Sequence, residues 1–290
     1  MIVAVESRHK IGILNQISKS LDAAGFKVVR YASPMHDNFA VVPNCDVTIV
    51  FNGTHHKYCK IIKNAKKRGI KILYVELGWL PQRQYRQLDF SGINADASWV
   101  NDELPESKHV PLKIRSGGIL VPLQNDNDTS IKSHSPWFGN MFKFLQHLIS
   151  CSTMHIKVRK HPRHIKKTDP RVIKLVNRNK KTSWDSSGSF AEAVRSVRAV
   201  ATINSTSGLE AIEMGYPVLC FGHAMYRRSD VSICLSNNVK NTIKAIKTIE
   251  RGDVNLNGGN LKSFIKLVKS KQVLFADVAT RVVEMLGGLS

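Results

Sequence analysis

Short apolar runs alternate with helix-forming stretches through most of this chain, and that alternation constrains its fold more than any other feature. In the first third, Ile2 to Val5, Lys27 to Tyr31, Cys45 to Phe51 and Ile70 to Val75 have the length and composition of buried strands. Between them lie Ile11 to Ala24, with Ile13, Leu14, Ile17 and Leu21 on one face, and His55 to Lys67; Gly25 and Gly69 stop these helices. Strands separated by helices predict parallel βαβ units, whose ligands sit beyond the carboxyl ends of the strands. No Gly-x-Gly-x-x-Gly follows the first strand, so the dinucleotide fingerprint is absent.

Asn101 to Gly118 is polar, contains proline and has no periodicity, as expected of an interdomain linker. A second series follows: a strand at Ile119 to Leu123, a helix from Trp137 to Ile149, a strand at Met154 to Val158, and a helix from Phe190 to Val197. Lys262 to Leu286 reads as a long basic amphipathic helix or a helix pair. The expected organisation is α/β: a Rossmann-like domain over 1–113, a second over 114–261 and a helical segment over 262–290.

The most informative local stretch is Val200 to Gly222. It predicts a buried strand (Ala199 to Ile203), a small-residue turn, a helix running past Glu210, and a further strand (Pro217 to Phe221). Asn204, Ser205, Thr206 and Ser207 are all good N-cap residues, and Gly208 is expected to let a ligand approach the backbone. Such a helix start offers free N–H groups and a positive dipole end to a phosphate. Two other loops should reach the same sheet edge: Gln124 to Ser130, carrying Asp128, and Lys160-His161-Pro162. Together they supply hydroxyls, a cation, an imidazole and the Glu210 carboxylate, which suits a nucleotide sugar. Asp126-Asn127-Asp128 has the form of a metal-binding Asp-x-Asp, but a turn is the commoner use of that pattern, and no metal is assigned. In the first half, Glu76 closes a strand and reads equally as a general base or as a carboxylate tied to the amides of the next turn; Asp89 and Asp96 are weaker candidates.

Charge bears on partners. Lys and Arg number 43 against 22 acidic residues, a formal net charge of +21, more than solubility needs. Lys60, Lys63 and Lys67 form a stripe on one helix. A denser cluster over 157–181 includes Arg163, Lys166, Lys167, Arg171 and Lys174. The balance predicts a polyanionic partner, with DNA favoured as acceptor and an anionic membrane surface, reached through Lys262, Lys266, Lys269 and Lys271, as the alternative. Base access in DNA would require flipping, with Tyr85, Trp99 and Trp137 available to stack. Five scattered cysteines without a Cys-x-x-Cys pair and the lack of an apolar leader or span predict a cytoplasmic location.

Glu76-Leu77-Gly78-Trp79-Leu80, Leu88 to Asn94, Val121 to Ile131, Lys160-His161-Pro162 and Asn204 to Val218 resemble, in order, the capsule polysaccharide synthesis family, which includes bacterial Kdo transferases and phage-encoded relatives. The resemblance covers roughly residues 70 to 225. It implies a GT-B glycosyltransferase: two Rossmann-like domains with parallel sheets facing a central cleft, the nucleotide-sugar donor (UDP- or CMP-linked) held by the C-terminal one. By position, Gln124, Lys160, His161, Ser205, Thr206, Ser207 and Glu210 become donor-site residues. The chain departs from the Kdo transferases in three places. Glu76 is followed by Leu77 where they carry an acidic pair, leaving Glu76 or Asp89 as the implied base; Leu209 replaces a phenylalanine; and His223 to Asp230 replaces a Trp-containing segment. The expected activity is transfer of a sugar to an anionic acceptor, hydroxymethylated DNA first and a capsule polysaccharide or glycolipid second. A sugar-nucleotide epimerase or a non-catalytic nucleic-acid-binding protein are the readings of other classes.

Overall fold

A computed structural model describes residues 1–7, 12–37, 40–112, 114–162 and 168–289. The chain forms two compact units, Met1–Asp102 with Val268–Ser290, and Glu103–Leu267.

The first unit begins with β1 (Ile2–Ser7), α1 (Gly12–Ala23), β2 (Lys27–Ala32) and β3 (Val47–Phe51). A 3-10 turn at His56–Tyr58 leads into α2 (Cys59–Lys67), then β4 (Lys71–Leu77) and β5 (Tyr85–Asp89). Alternate residues of the strands face opposite ways. Val3, Val5, Val47, Ile49, Leu73 and Val75 meet the apolar face of α1, whereas Ala4, Val50, Ile72 and Tyr74 pack with Tyr58, Ile61 and Ala65 on the other side.

The second unit runs β6 (Gly118–Pro122), α3 (Thr129–His134), α4 (Met141–Cys151), β7 (Ile156–Arg159), α5 (Pro170–Arg178), β8 (Thr182–Trp184), α6 (Phe190–Arg195) and β9 (Val197–Thr202). It continues with α7 (Thr206–Glu213), β10 (Val218–Cys220), β11 (Ile233–Cys234), α8 (Val239–Arg251) and α9 (Gly258–Ser270). Its sheet has the order β11-β10-β9-β6-β7-β8, and every pairing is parallel. The helix expected from Trp137 starts at Met141 instead, because the Asn140 side chain caps it by accepting from the Lys143 amide.

The end of the chain departs from the sequence expectation. Between α9 and α10 (Val278–Gly287) lies a strand, β12 (Gln272–Leu274), so Lys262 to Leu286 is neither one helix nor a simple pair. β12 pairs antiparallel with β5, and β5 antiparallel with β4, which makes the first sheet mixed, in the order β12-β5-β4-β3-β1-β2. Gln272 explains the interruption. Its buried amide accepts from the Trp79 and Leu80 N–H groups at 2.9 and 3.1 Å and donates to the Leu80 carbonyl at 2.6 Å. Val278, Val282 and Leu286 of α10 are fully buried against the cluster that holds α1. At ~1.5–3 kcal/mol per buried side chain, that face joins 268–290 to the first unit's core.

Candidate functional site

In the second unit, β9 turns directly into α7. Of the four small polar residues there, Ser205 takes the N-cap, with extended backbone angles and its hydroxyl accepting from the Ser207 amide at 3.2 Å. Among the described residues, the Thr206 amide and the Thr206 and Ser207 hydroxyls have no internal partner. The turn is half-buried and held from three sides. Thr202 Oγ1 accepts from the Ser205 amide at 3.1 Å, Tyr226 donates its hydroxyl to the Ser205 carbonyl at 2.6 Å, and Asn204 donates to the carbonyls of Ser130 and His134. A rigid turn with unspent donors at a helix start is ready to receive an anion without reorganising.

Glu210 lies one turn into α7, half-buried, and among the described residues no group donates to its carboxylate. Burial, helped by neighbouring Glu213, pushes its pKa above the ordinary carboxylate value. A desolvated carboxylate in this state is improved by any ligand hydroxyl that donates to it.

Two neighbours of this turn hold it rather than extend it. Gln124 accepts from Thr202 Oγ1 and the Asn204 amide, both at 3.2 Å, and donates to Asn204 Oδ1 at 2.8 Å. The expected donor-site glutamine is thus a strut between the ends of β6 and β9. Gly208 is buried, and a Cβ there would stand 2.5 Å from the Tyr226 hydroxyl. Its missing side chain makes room for Tyr226, not for a ligand, which corrects the sequence expectation. Asp128 is likewise engaged as the N-cap of α3, accepting from the Ser130 amide at 3.2 Å, while Asp126 accepts from the Met141 amide at 2.7 Å. The Asp-x-Asp pattern starts two helices.

Lys160 follows β7, two strands from β9 and so about 10 Å across the sheet from the α7 turn. Its ammonium sits 4.8 Å above the Trp184 ring, which fixes the cation at this edge. His161 beside it is half-buried. Next to them, Arg159 pairs with Asp185 and donates to the Ser187 carbonyl at 3.0 Å. Burial alone would raise the Asp185 carboxyl, but bonds from Ser187 and Arg159 outweigh it and lower the pKa. Sequence reasoning missed this pair and Tyr226; each joins positions too far apart in sequence for periodicity to link.

Three carboxylates of the first unit, Glu76, Asp89 and Glu6, are used internally. Glu76, near the end of β4, accepts from Asn52 Nδ2 and from the Leu77 amide at 2.8 Å. Asn52 sits at φ 71 and accepts from the Thr54 amide and hydroxyl. The Asn52-Gly53 dipeptide after a strand was the available signal for such a positive-φ turn. Asp89 is buried and accepts from the amides of Ser91, Gly92 and Ser98 and the Ser98 hydroxyl. It organises a loop, a role different from the base the sequence suggested. Trp99 is also buried, edge-on to Trp79 at 5.2 Å, and is core rather than a stacking platform. Glu6, which the sequence did not single out, is 1% exposed and accepts from Ser33, Tyr58 and the Phe51 amide.

Of the expected polyanion contacts, Lys60, Lys63 and Lys67 are exposed on α2 in the first unit, and Lys174 and Arg171 on α5 in the second. Arg171 is held by Asp169 at 2.7 Å and lies over the Phe142 ring. Arg163, Lys166 and Lys167 lie outside the described residues. Among the described residues no helix is long and apolar enough to cross a membrane.

Residues 99–233 match the family model for capsule polysaccharide biosynthesis proteins. A curated relative, protein FixF of Sinorhizobium fredii (strain NBRC 101917 / NGR234), is 25% identical over 210 residues, covering 64% of this chain; the chain spans half of that relative's length. Two solved structures from Thermosulfurimonas dismutans share the architecture. The KpsC β-Kdo 2,7 transferase superposes with a TM-score of 0.58 at 15% identity over 98% of this chain and 99% of that one. The KpsC β-Kdo 2,4 transferase gives 0.57 at 14% identity over 98% of each. The matched segment contains the α7 turn, Glu210 and the Lys160 edge, and the chain shares the two-unit α/β fold of those two structures: it is similar to the capsule polysaccharide biosynthesis proteins over that segment.

Proposed function

We propose that this protein transfers a sugar from a nucleotide-sugar donor, UDP- or CMP-linked, to a polysaccharide or glycolipid acceptor of the capsule type. The observation that carries the reading is the start of α7, where an amide and two hydroxyls stand one helical turn from the Glu210 carboxylate, all of them without a partner among the described residues. The donors at Thr206 and Ser207 receive the phosphate and stabilise the charge that develops on it as the glycosyl bond breaks. Glu210 accepts from sugar or ribose hydroxyls, and the Lys160 ammonium adds positive charge at the same edge. Glu76, oriented by Asn52 and the Leu77 amide, is the proposed base for the acceptor hydroxyl.

The family match and the Kdo-transferase neighbours favour a capsule-type acceptor and give no support to DNA. The charge of +21 that suggested DNA is equally served by an acidic polymer or an anionic lipid. A donor-by-acceptor screen read by mass spectrometry tests both. Modification of a capsule oligosaccharide or glycolipid, lost in Glu210→Ala, is the expected result; modified nucleosides from hydroxymethylated DNA with no glycolipid product would reverse the acceptor assignment. Interconversion of nucleotide sugars without any acceptor would replace a transferase by an epimerase.

A further inference from the structure

One face of the second unit's sheet is covered by a single layer of α5, α4 and α8. All three bury their apolar sides in one cluster with Ile119, Val121, Ile156, Val158, Ala199 and Ala201, and α4 packs against both of the others. Their outer sides therefore share one surface. On α8 that surface carries Lys240, Lys244, Lys247 and Arg251, at i, i+4, i+7 and i+11, all exposed. On α5 it carries Lys174 and Arg178 beside Arg171, and on α4 Lys143. The acids nearby are few and occupied: Asp169 holds Arg171, Asp253 sits 3.3 Å from Arg251, and Glu250 accepts from Thr153.

We propose that this helical layer is a docking surface for an anionic lipid membrane. Lys240 to Arg251 extends about 16 Å along α8, and three helices side by side are about 20 Å across. The cations are thus spread over a plane in two directions, which matches a bilayer surface better than the line of phosphates a duplex strand offers. Phe142, Ile149, Leu175 and Ile243 are half-buried between the charges, so the lysine stems lie along apolar surface while their ammonium groups reach out to headgroups. In parallel βαβ units the helices begin at the carboxyl edge of the sheet. The Asp126 bond to the Met141 amide ties the start of α4 to the loop after β6. The layer accordingly ends at the edge that holds the α7 turn, and a membrane on it brings lipid-linked acceptors to that side of the unit. The inference draws its purpose from the glycosyltransferase reading, but membrane binding can be measured without turnover.

The test is co-sedimentation of the full chain with vesicles of phosphatidylcholine alone and of phosphatidylcholine with phosphatidylglycerol, for the wild type and the triple variant Lys240→Ala, Lys244→Ala, Lys247→Ala. The wild type is expected to bind only the anionic vesicles, less as salt rises, and the variant to bind roughly 100-fold more weakly with unchanged thermal unfolding. Equal binding to both vesicle types, binding to neither, or a variant that binds as the wild type does overturns the proposal. So does tighter binding of duplex DNA than of anionic vesicles at one ionic strength, with both lost in the variant. Titration of the variant with UDP and CMP reports on the donor site separately: vesicle binding by a protein that takes neither nucleotide leaves the surface standing and removes the transferase reading.

Discussion

The carboxyl edges of the two sheets use the same residue types in opposite ways. In the first unit, Glu6 and Glu76 sit near the carboxyl ends of β1 and β4, and each accepts hydrogen bonds from its own chain, as does Asp89 at the end of the antiparallel β5. In the second unit, Gln124, Asn204 and Asp128 brace the turn, while Thr206, Ser207 and Glu210 keep capacity to spare. Polar residues at a strand end are therefore not evidence of a site until their bonds are counted. An edge whose polar groups are bonded within the chain has its side chains held in place, as Glu76 is oriented for its proposed role; an edge with a braced turn and unspent groups is built to receive something.

The sharpest way to break this comparison is to remove Glu6. Its loss removes the carboxylate that accepts from the Ser33 and Tyr58 hydroxyls and the Phe51 amide, and leaves the buried Ser33 hydroxyl without its acceptor. At ~1–3 kcal/mol for an unsatisfied buried group, Glu6→Ala is expected to destabilise the protein by ~1–3 kcal/mol, read by chemical denaturation. Nucleotide binding, measured below the unfolding transition, should be unaffected. Donor affinity that falls while stability holds would place Glu6 with the second unit's open groups.

Glu210→Ala should do the reverse. A hydrogen bond to a charged group is worth ~1.5–3 kcal/mol, so donor affinity should drop by about 10- to 100-fold in calorimetry with little change in unfolding. The raised pKa adds a pH dependence with a definite sign. Donor hydroxyls bind the ionised carboxylate, so affinity should decline as pH falls through the raised Glu210 pKa, beginning above the usual carboxylate range. Glu210→Gln should flatten that decline. The stability contribution runs the other way: the folded state holds this proton more tightly than the unfolded one, so the contribution is complete below the unfolded pKa and fades as pH rises through the folded one.

How much of this was legible beforehand follows from the range of each interaction. The βαβ order, the strands from Ile2 to Val75 and the strand–turn–helix around Ser205 rest on local periodicity and capping, and the sequence displays both. The first sheet's antiparallel edge rests on β12 meeting β5 and on Gln272 reaching the Trp79 and Leu80 amides. Nothing local to Gln272 announces that partnership, and the amphipathic pattern on either side of it reads as helix. The site divides along the same line. Ser205 to Glu210 was visible because capping and an anion-binding turn are local chemistry. Gly208 was singled out for the wrong reason, because its true neighbour is Tyr226, far along the chain.

Asp128 sharpens the comparison at its finest grain, because it lies at the open edge yet behaves like the residues of the closed one. Its carboxylate caps α3 through the Ser130 amide, and it is exposed. If capping is its role, Asp128→Ala should cost about 1 kcal/mol of stability, while Asp128→Ser or Asp128→Asn should restore most of it, since either side chain can accept the same bond. α3 is also tied by Asn204 to the Ser130 and His134 carbonyls, so fraying of α3 is expected to loosen the α7 turn slightly. Donor affinity should follow stability, dropping a few-fold in Asp128→Ala and recovering with the cap. Calorimetry on the three variants decides it: recovery in Asp128→Asn, which keeps the acceptor oxygen but loses the charge, means that geometry at this position matters to the donor and charge does not.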